Sequence, residues 1–251
     1  MKLRSQKQPF RLGYDQDFTQ LATLDLDHTA ASVAIGGITW QQTNGTANLD
    51  DLDITNGTGV VANMGAANSA FDIDSNTHWH LRTAVTNLVP EYVRDDLLWI
   101  EMIVGDLGDA DTEICGIYFG NDSIDASARG HAFSTGWGGG VAVVRRLRQQ
   151  GAAVAGRNNA VVATAIAMRT SSGQAVSYHG TASGTDFPST WTRLPRGSTN
   201  DTVPAADSFN GSDEIHMWAA TGNTDNNYAP SIKRLRIWIV RDSTLTPYLV
   251  T

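Results

Sequence analysis

Apolar and polar positions alternate with a period of two along much of this chain. The longest such run lies near its middle, at residues 97–121 (LLWIEMIVGDLGDADTEICGIYFGN). It reads as two apolar strands joined by an acidic turn. Successive side chains point to opposite faces of a strand. Leu98, Ile100, Met102 and Val104 therefore share one face, and Leu97, Trp99 and Ile103 the other, broken only by Glu101. Two apolar faces imply cover on both sides, so the stretch is expected to form the central hairpin of a sandwich.

The rest of the chain repeats the theme. Residues 32–41 (SVAIGGITWQ) read as a strand kinked at Gly36-Gly37. Residues 49–55 (LDDLDIT) alternate and end at Asn56-Gly57, a hairpin signal like Asn44-Gly45 before it. Residues 17–28 fit either a first strand or a short helix. In residues 70–85, Trp79 and Leu81 share one face and His78, His80 and Arg82 the other. Residues 141–150 (VAVVRRLRQQ) favour a strand, followed by a small loop over 152–158. Residues 160–169 (AVVATAIAMR) are alanine-rich, but Val161, Val162, Thr164 and Ile166 are β-branched and argue strand. Residues 174–179 (QAVSYH) read as its hairpin partner. Residues 181–213 form the longest stretch without periodicity, the kind of loop that is functional or lies against a partner. Residues 214–220 are a strand. Residues 232–241 (IKRLRIWIVR) alternate most cleanly, with Leu235, Ile237 and Ile239 against Arg234, Arg236 and Trp238. Many short strands with turns between them imply an all-β sandwich.

Composition agrees. Of 26 acidic residues only four are Glu (Glu91, Glu101, Glu113, Glu214) and 22 are Asp. Asp favours turns and caps, whereas Glu and Lys favour helices. The net charge of −8 argues against nucleic-acid binding, which needs a basic face. No apolar run reaches the ~18–20 residues of a membrane-spanning helix, and the first 13 residues lack the apolar core of a secretory signal. The single cysteine, Cys115, excludes an intramolecular disulfide and reads as a packing residue. Lys2, Arg4, Lys7 and Arg11 make a basic arm ahead of an acidic body, suited to docking on an acidic neighbouring subunit. The expected organisation is an arm over 1–16, a sandwich over 17–242 and a tail over 243–251.

The order of LLWIEMIVGD (97–106), CGIYFGN (115–121), VAVVRR (141–146), VVATAIAMR (161–169), YHG (178–180) and SIKRLRIWIV (231–240) resembles the concanavalin A-like lectin/glucanase family, the jelly roll shared with laminin G-like domains. The resemblance implies a two-sheet antiparallel jelly-roll sandwich over residues 20–242. Glycoside hydrolases of that family carry their acids on one strand as Glu-x-Asp-x-x-Glu. Glu101 takes the first place here, but Ile103, Val104, Gly105 and Asp106 follow and do not complete the pattern. No catalytic residue is therefore assigned.

Other candidate chemistry is sparse. Acidic turns at Asp106, Asp109, Asp111 and Glu113, at Asp50, Asp51 and Asp53, and at Asp72 and Asp74 have the oxygen ligands a Ca²⁺ ion takes, but none follows the calcium-loop spacing. His78 and His80 are too few for a structural zinc site. No metal or cofactor is expected. The exposed aromatics best placed to stack on sugars or anchor an interface are Trp137 in its glycine run, Trp191 in the long loop and Tyr178 beside a hairpin. Trp40, Trp99, Trp218 and Trp238 read as core.

A β-rich, Asn/Thr/Gly-heavy, nearly cysteine-free chain with a basic arm and no visible chemistry is expected to be a non-enzymatic structural or attachment protein of a virus particle. It would be a phage head decoration, fibre or tail component, assembled in the host cytoplasm. Its expected partners are other virion subunits, a homo-oligomer with a trimer favoured, and host glycans, without nucleic acid or membrane. A stand-alone carbohydrate-binding module and a glycan-cleaving enzyme of the same fold remain the alternatives.

Overall fold

The computed structural model describes residues 10–25, 31–44, 52–62, 79–93, 96–105, 113–120, 130–135, 142–146, 149–154, 162–169, 174–193, 214–221 and 231–241. The strands in order are β1 (Phe10–Asp17), β2 (Leu24–Asp25), β3 (Ser32–Ile35), β4 (Ile38–Asn44), β5 (Leu52–Thr55), β6 (Gly59–Ala62), β7 (Trp79–Ala84), β8 (Leu97–Gly105), β9 (Glu113–Gly120), β10 (Gly130–Thr135), β11 (Ala142–Arg146), β12 (Gln149–Val154), β13 (Val162–Arg169), β14 (Gln174–Thr181), β15 (Thr192–Arg193), β16 (Glu214–Thr221) and β17 (Ser231–Val240). A single turn of 3-10 helix (Phe18–Gln20) follows β1, and one turn of α-helix, α1 (Val85–Leu88), follows β7.

The strands form two antiparallel sheets, so the expected two-sheet all-β sandwich is what the chain adopts. The first sheet runs β15-β14-β13-β8-β17-β6-β5-β2, with β1 also on β17. The second runs β12-β11-β10-β9-β16-β7-β4-β3. The inner faces carry the core. From the first sheet come Leu98, Ile100 and Met102 of β8 with Leu235, Ile237 and Ile239 of β17, and from the second Leu81, Ile215 and Met217, all with essentially no solvent exposure. Each such aliphatic side chain is worth about 1.5–3 kcal/mol when buried, which is why the alternation so strongly fixes these strands.

Several expectations are corrected. β8 and β9 are not a hairpin. β8 pairs with β13 and β17 in the first sheet, whereas β9 pairs with β10 and β16 in the second. A strand apolar on both faces needs a strand on each edge and cover above and below, and crossing between sheets gives both segments such a place. Gly36-Gly37 is not a kink but a two-residue turn between β3 and β4, with Ile35 opposite Ile38 and φ of 58° and 80° at the two glycines, values that glycine takes without a Cβ penalty. Residues 152–154 continue β12 rather than opening a loop. The ambiguous segment after Asp17 splits into the 3-10 turn and β2. The Asp17 carboxylate accepts from the Thr19 N–H at the start of that turn. Arg11, placed in the basic arm, lies in β1 opposite Ile239 and pairs with Glu91 at 2.7 Å. Lys2, Arg4 and Lys7 lie outside the described residues, as does the tail.

The alanine-rich segment is a strand, β13, and it forms the expected hairpin with β14 in a register running from Val162 opposite Thr181 to Arg169 opposite Gln174.

Candidate functional site

The outward face of the first sheet is set by the same parity that fills the core. Where Leu235, Ile237 and Ile239 point inward, Arg234, Arg236 and Trp238 point out. β17 lies beside β8 with Arg234 opposite Ile103, Arg236 opposite Glu101 and Trp238 opposite Trp99. On the other side of β8, Ala165 lies opposite Glu101 and Ala167 opposite Trp99. These alanines leave a shallow trough. Across it Tyr178 of β14, opposite Ala165, reaches Trp99 with ring centroids 4.8 Å apart and planes tilted by 53°. Trp191 stands edge-on to Trp99 at 5.9 Å and 80°. Both distances are in the favourable range for aromatic pairs.

Trp99 and Trp191, with Phe10 of β1 and Trp238 of β17, wall a cleft of about 250 Å³ that Glu101 also lines. Glu101 is 3% exposed. Its Oε2 accepts from Arg236 Nε and, at 2.8 Å, from the Trp238 indole N–H. No hydrogen bond among the described residues reaches Oε1. Arg236 is stacked under Phe187, 4.1 Å from guanidinium carbon to ring centre, and lies 5.2 Å from the Trp238 ring. The carboxylate thus pairs with a guanidinium that itself lies against two aromatic rings.

Phe187 belongs to the segment after β14, which folds back over the sheet. Arg234 holds it there. Arg234 donates from Nε and Nη2 to the two carboxylate oxygens of Asp15, each at 2.8 Å, and from Nη1 to the Thr185 carbonyl at 3.0 Å. The hydrogen bond to Asp15 pushes the Arg234 pKa up, against a smaller opposing effect of burial. Ser183 and Asp186 exchange backbone bonds around Gly184. A Cβ on Gly180 would run into the Pro188 ring, so glycine is required where the segment presses on β14. Burial pushes the Tyr178 phenol up, with Arg193 pulling the other way.

On the far side of this segment lies a second cleft of about 410 Å³, lined by Thr181, Ser183, Asp186, Phe187, Ser189, Thr190 and Thr192 among others. Trp191 faces the aromatic cleft while its neighbours Thr190 and Thr192 face this one.

Of the three aromatics singled out from sequence, the structure brings two, Tyr178 and Trp191, to one cluster through Trp99. Trp137 lies outside the described residues. Tyr178 is buried at 8% exposure rather than open, and Trp191 is half-buried. Trp40 is core, as expected. Trp99 is buried but on the outward face, and Trp238 is half-buried and walls the cleft. Parity alone reveals this, because Trp238 alternates with Leu235, Ile237 and Ile239 and shares its face with two arginines. Among the described residues no group of three or more His, Cys, Asp or Glu side chains is placed to hold a metal. The acidic turns at 106–111, 50–51 and 72–74 lie outside them, as does His78.

No protein-family model and no curated protein matches the chain. Solved structures of similar shape include an endo-1,3-β-glucanase from Streptomyces sioyaensis, 8% identical with a TM-score of 0.49, the overlap covering 96% of this chain and 100% of that one. Peanut lectin in complex with a nine-residue peptide is 10% identical with a TM-score of 0.46, covering 87% and 98%. A carbohydrate esterase of the Shiga toxin-encoding bacteriophage phi24B is 11% identical with a TM-score of 0.39, covering 80% and 89%. Overlaps of this size assign no activity.

Proposed function

We propose that this chain is a non-enzymatic attachment protein that binds neutral glycans in the aromatic cleft of its first sheet. The observation that carries the reading is Glu101: a buried carboxylate at the floor of an aromatic-walled cleft, with Oε2 occupied by Arg236 and Trp238 and no bond to Oε1 among the described residues. A sugar ring presents C–H groups to aromatic faces and hydroxyl donors to an acceptor. Because Arg236 already balances Glu101, the cleft favours a neutral ligand over a cation. The same ion pair argues against hydrolysis. A retaining glycosidase places two carboxyl groups about 5–5.5 Å apart, and the described residues lining this cleft include one.

The place of action in this proposal is a virus particle, as a phage head decoration, fibre or tail subunit in a homo-oligomer with a trimer favoured. Support for it comes from the sequence: an Asn/Thr/Gly-heavy, nearly cysteine-free chain with Lys2, Arg4 and Lys7 at its basic start.

A glycan array followed by titration of the best binder tests the reading. The wild type should bind at least one neutral glycan, and Trp191→Ala should weaken it tenfold or more while the circular dichroism spectrum is retained. No binding across the array, or full binding by Trp191→Ala, refutes it. Release of reducing ends that stops in Glu101→Gln would establish the enzyme instead. Absence of the chain from purified particles would remove the virion part.

A further inference from the structure

We infer that the glycan site has two subsites, one on each side of the 189–192 ridge, and that its ligand is an oligosaccharide rather than a single sugar. The inference rests on the glycan reading above and extends it to the second cleft.

Size comes first. Ligand sites usually span about 300–1,000 Å³. The aromatic cleft, at about 250 Å³, falls below that range and accommodates one ring against its walls. The neighbouring cleft is larger, about 410 Å³. The two share a wall. Trp191 lines one, while Thr190 and Thr192, the residues on either side of it, line the other. A chain of sugars stacked on Trp191 at one end therefore has its next ring delivered to the hydroxyl-lined cleft with no change in the protein.

The chemistry of the second cleft matches that ring. Thr181, Ser183, Ser189, Thr190 and Thr192 each carry a hydroxyl, which both donates and accepts, and Asp186 adds an acceptor. Sugar hydroxyls have the same dual character, so a polyhydroxylated ring pairs with such a wall in several orientations. The Phe187 ring gives the cleft an apolar portion. Asp186 is exposed and disfavours an anionic sugar, in agreement with the neutral ligand assigned to the first cleft.

The wall is already in place. Arg234 holds the Thr185 carbonyl, Phe187 is stacked on Arg236, and Ser183 and Asp186 close a turn. A site whose loop is ordered before binding spends less affinity on ordering it. The same contacts join the two subsites mechanically: Arg236 touches Phe187 of the second cleft and Glu101 of the first.

The test compares monosaccharides with their oligomers on the full chain by titration calorimetry: glucose with maltotetraose and laminaritetraose, and N-acetylglucosamine with chitotetraose. Two subsites predict that the tetrasaccharide of the recognised sugar binds at least tenfold more tightly than its monosaccharide. Thr190→Ala/Thr192→Ala should collapse that ratio toward one, and Asp186→Asn should reduce it severalfold. A ratio near one in the wild type, or a ratio that the double variant leaves unchanged, overturns the second subsite while monosaccharide binding still upholds the first. If neither series binds, the same comparison is made with the monosaccharide and tetrasaccharide of the best binder on the glycan array, and no binding across the array overturns both.

Discussion

Replacing Glu101 separates a structural carboxylate from a catalytic one. Its Oε2 takes two hydrogen bonds, one from a guanidinium and one from an indole. Glu101→Met removes the oxygen that accepts both and leaves Arg236 without its counter-ion. Removing one partner of a buried pair costs about 3–5 kcal/mol. The Arg236 side chain is 22% exposed and keeps the Phe187 ring over it, which places the cost at the low end, about 3 kcal/mol. Glu101→Gln keeps a neutral acceptor. Hydrogen bonds to charged groups contribute about 1.5–3 kcal/mol and neutral ones about 1, so this variant should lose about 1–2 kcal/mol. For a chain of this size each kcal/mol moves Tm by roughly 2–4 °C. Calorimetric melts should then fall by about 6–12 °C for Met and about 2–8 °C for Gln. A double-mutant cycle with Arg236→Met should give a coupling above about 1 kcal/mol, since the second loss has nothing left to break. The reasoning fails if Glu101→Met melts within 1 °C of the wild type or the coupling is zero. If Glu101→Gln is as stable as the wild type yet abolishes cleavage of a glycan, Glu101 is a catalytic acid and the binding assignment falls with it.

Two further substitutions probe the same scaffold. The Tyr14 hydroxyl is buried with no hydrogen-bond partner among the described residues, and burial, with a smaller contribution from Asp15, pushes its pKa well up; Tyr14→Phe should therefore be neutral or stabilising by about 1 kcal/mol at pH 7. Because the raised pKa makes the fold prefer the protonated phenol, that preference is intact below the unfolded value of about 10 and is lost as pH rises above it. Urea titrations from pH 9 to 11 should show the wild type weakening more than Tyr14→Phe, and equal weakening would refute the burial argument. Gly180→Ala places a methyl group against Pro188 and should cost about 1–3 kcal/mol. It should also lower the affinity of any glycan that uses the 189–192 ridge, with unaltered affinity and stability counting against the close fit of the segment on β14.

Alternation made the individual strands legible. β17 and β13 were readable almost to the residue because β-branched and apolar side chains recur every second position, and an alanine-rich helix would not place Val162, Thr164 and Ile166 on one line. Partnership was not legible. The run at 97–121 fits a hairpin or a crossing between sheets equally well, because the apolar pattern states that both faces are covered without saying by what. The cover on the outward face of β8 turned out to be Tyr178 of β14 together with Trp191 and the segment bearing Phe187, the last two drawn from the stretch that had no periodicity at all. β1 was missed because its residues alternate weakly: Leu12 is 45% exposed, and the strand is identified by its pairing with β17 rather than by its own pattern.

The site and the register of the sheet are specified by the same residues. A one-residue slip of a strand exchanges its two faces. For β17 that would drive Arg234, Arg236 and Trp238 into the core and expose Leu235, Ile237 and Ile239. In the observed register Arg236 meets Glu101, Arg234 meets Asp15, and Trp238 lies opposite Trp99 on the neighbouring strand. Surface ion pairs are generally worth little, but these two lie across strand pairs, Arg236 directly opposite Glu101 and Arg234 diagonal to Asp15, with Asp17 the residue opposite Arg234. The buried Glu in this otherwise apolar strand has a structural role. It selects one pairing of β8 with β17, and that pairing sets Trp99 and Trp238 side by side as the walls of the cleft.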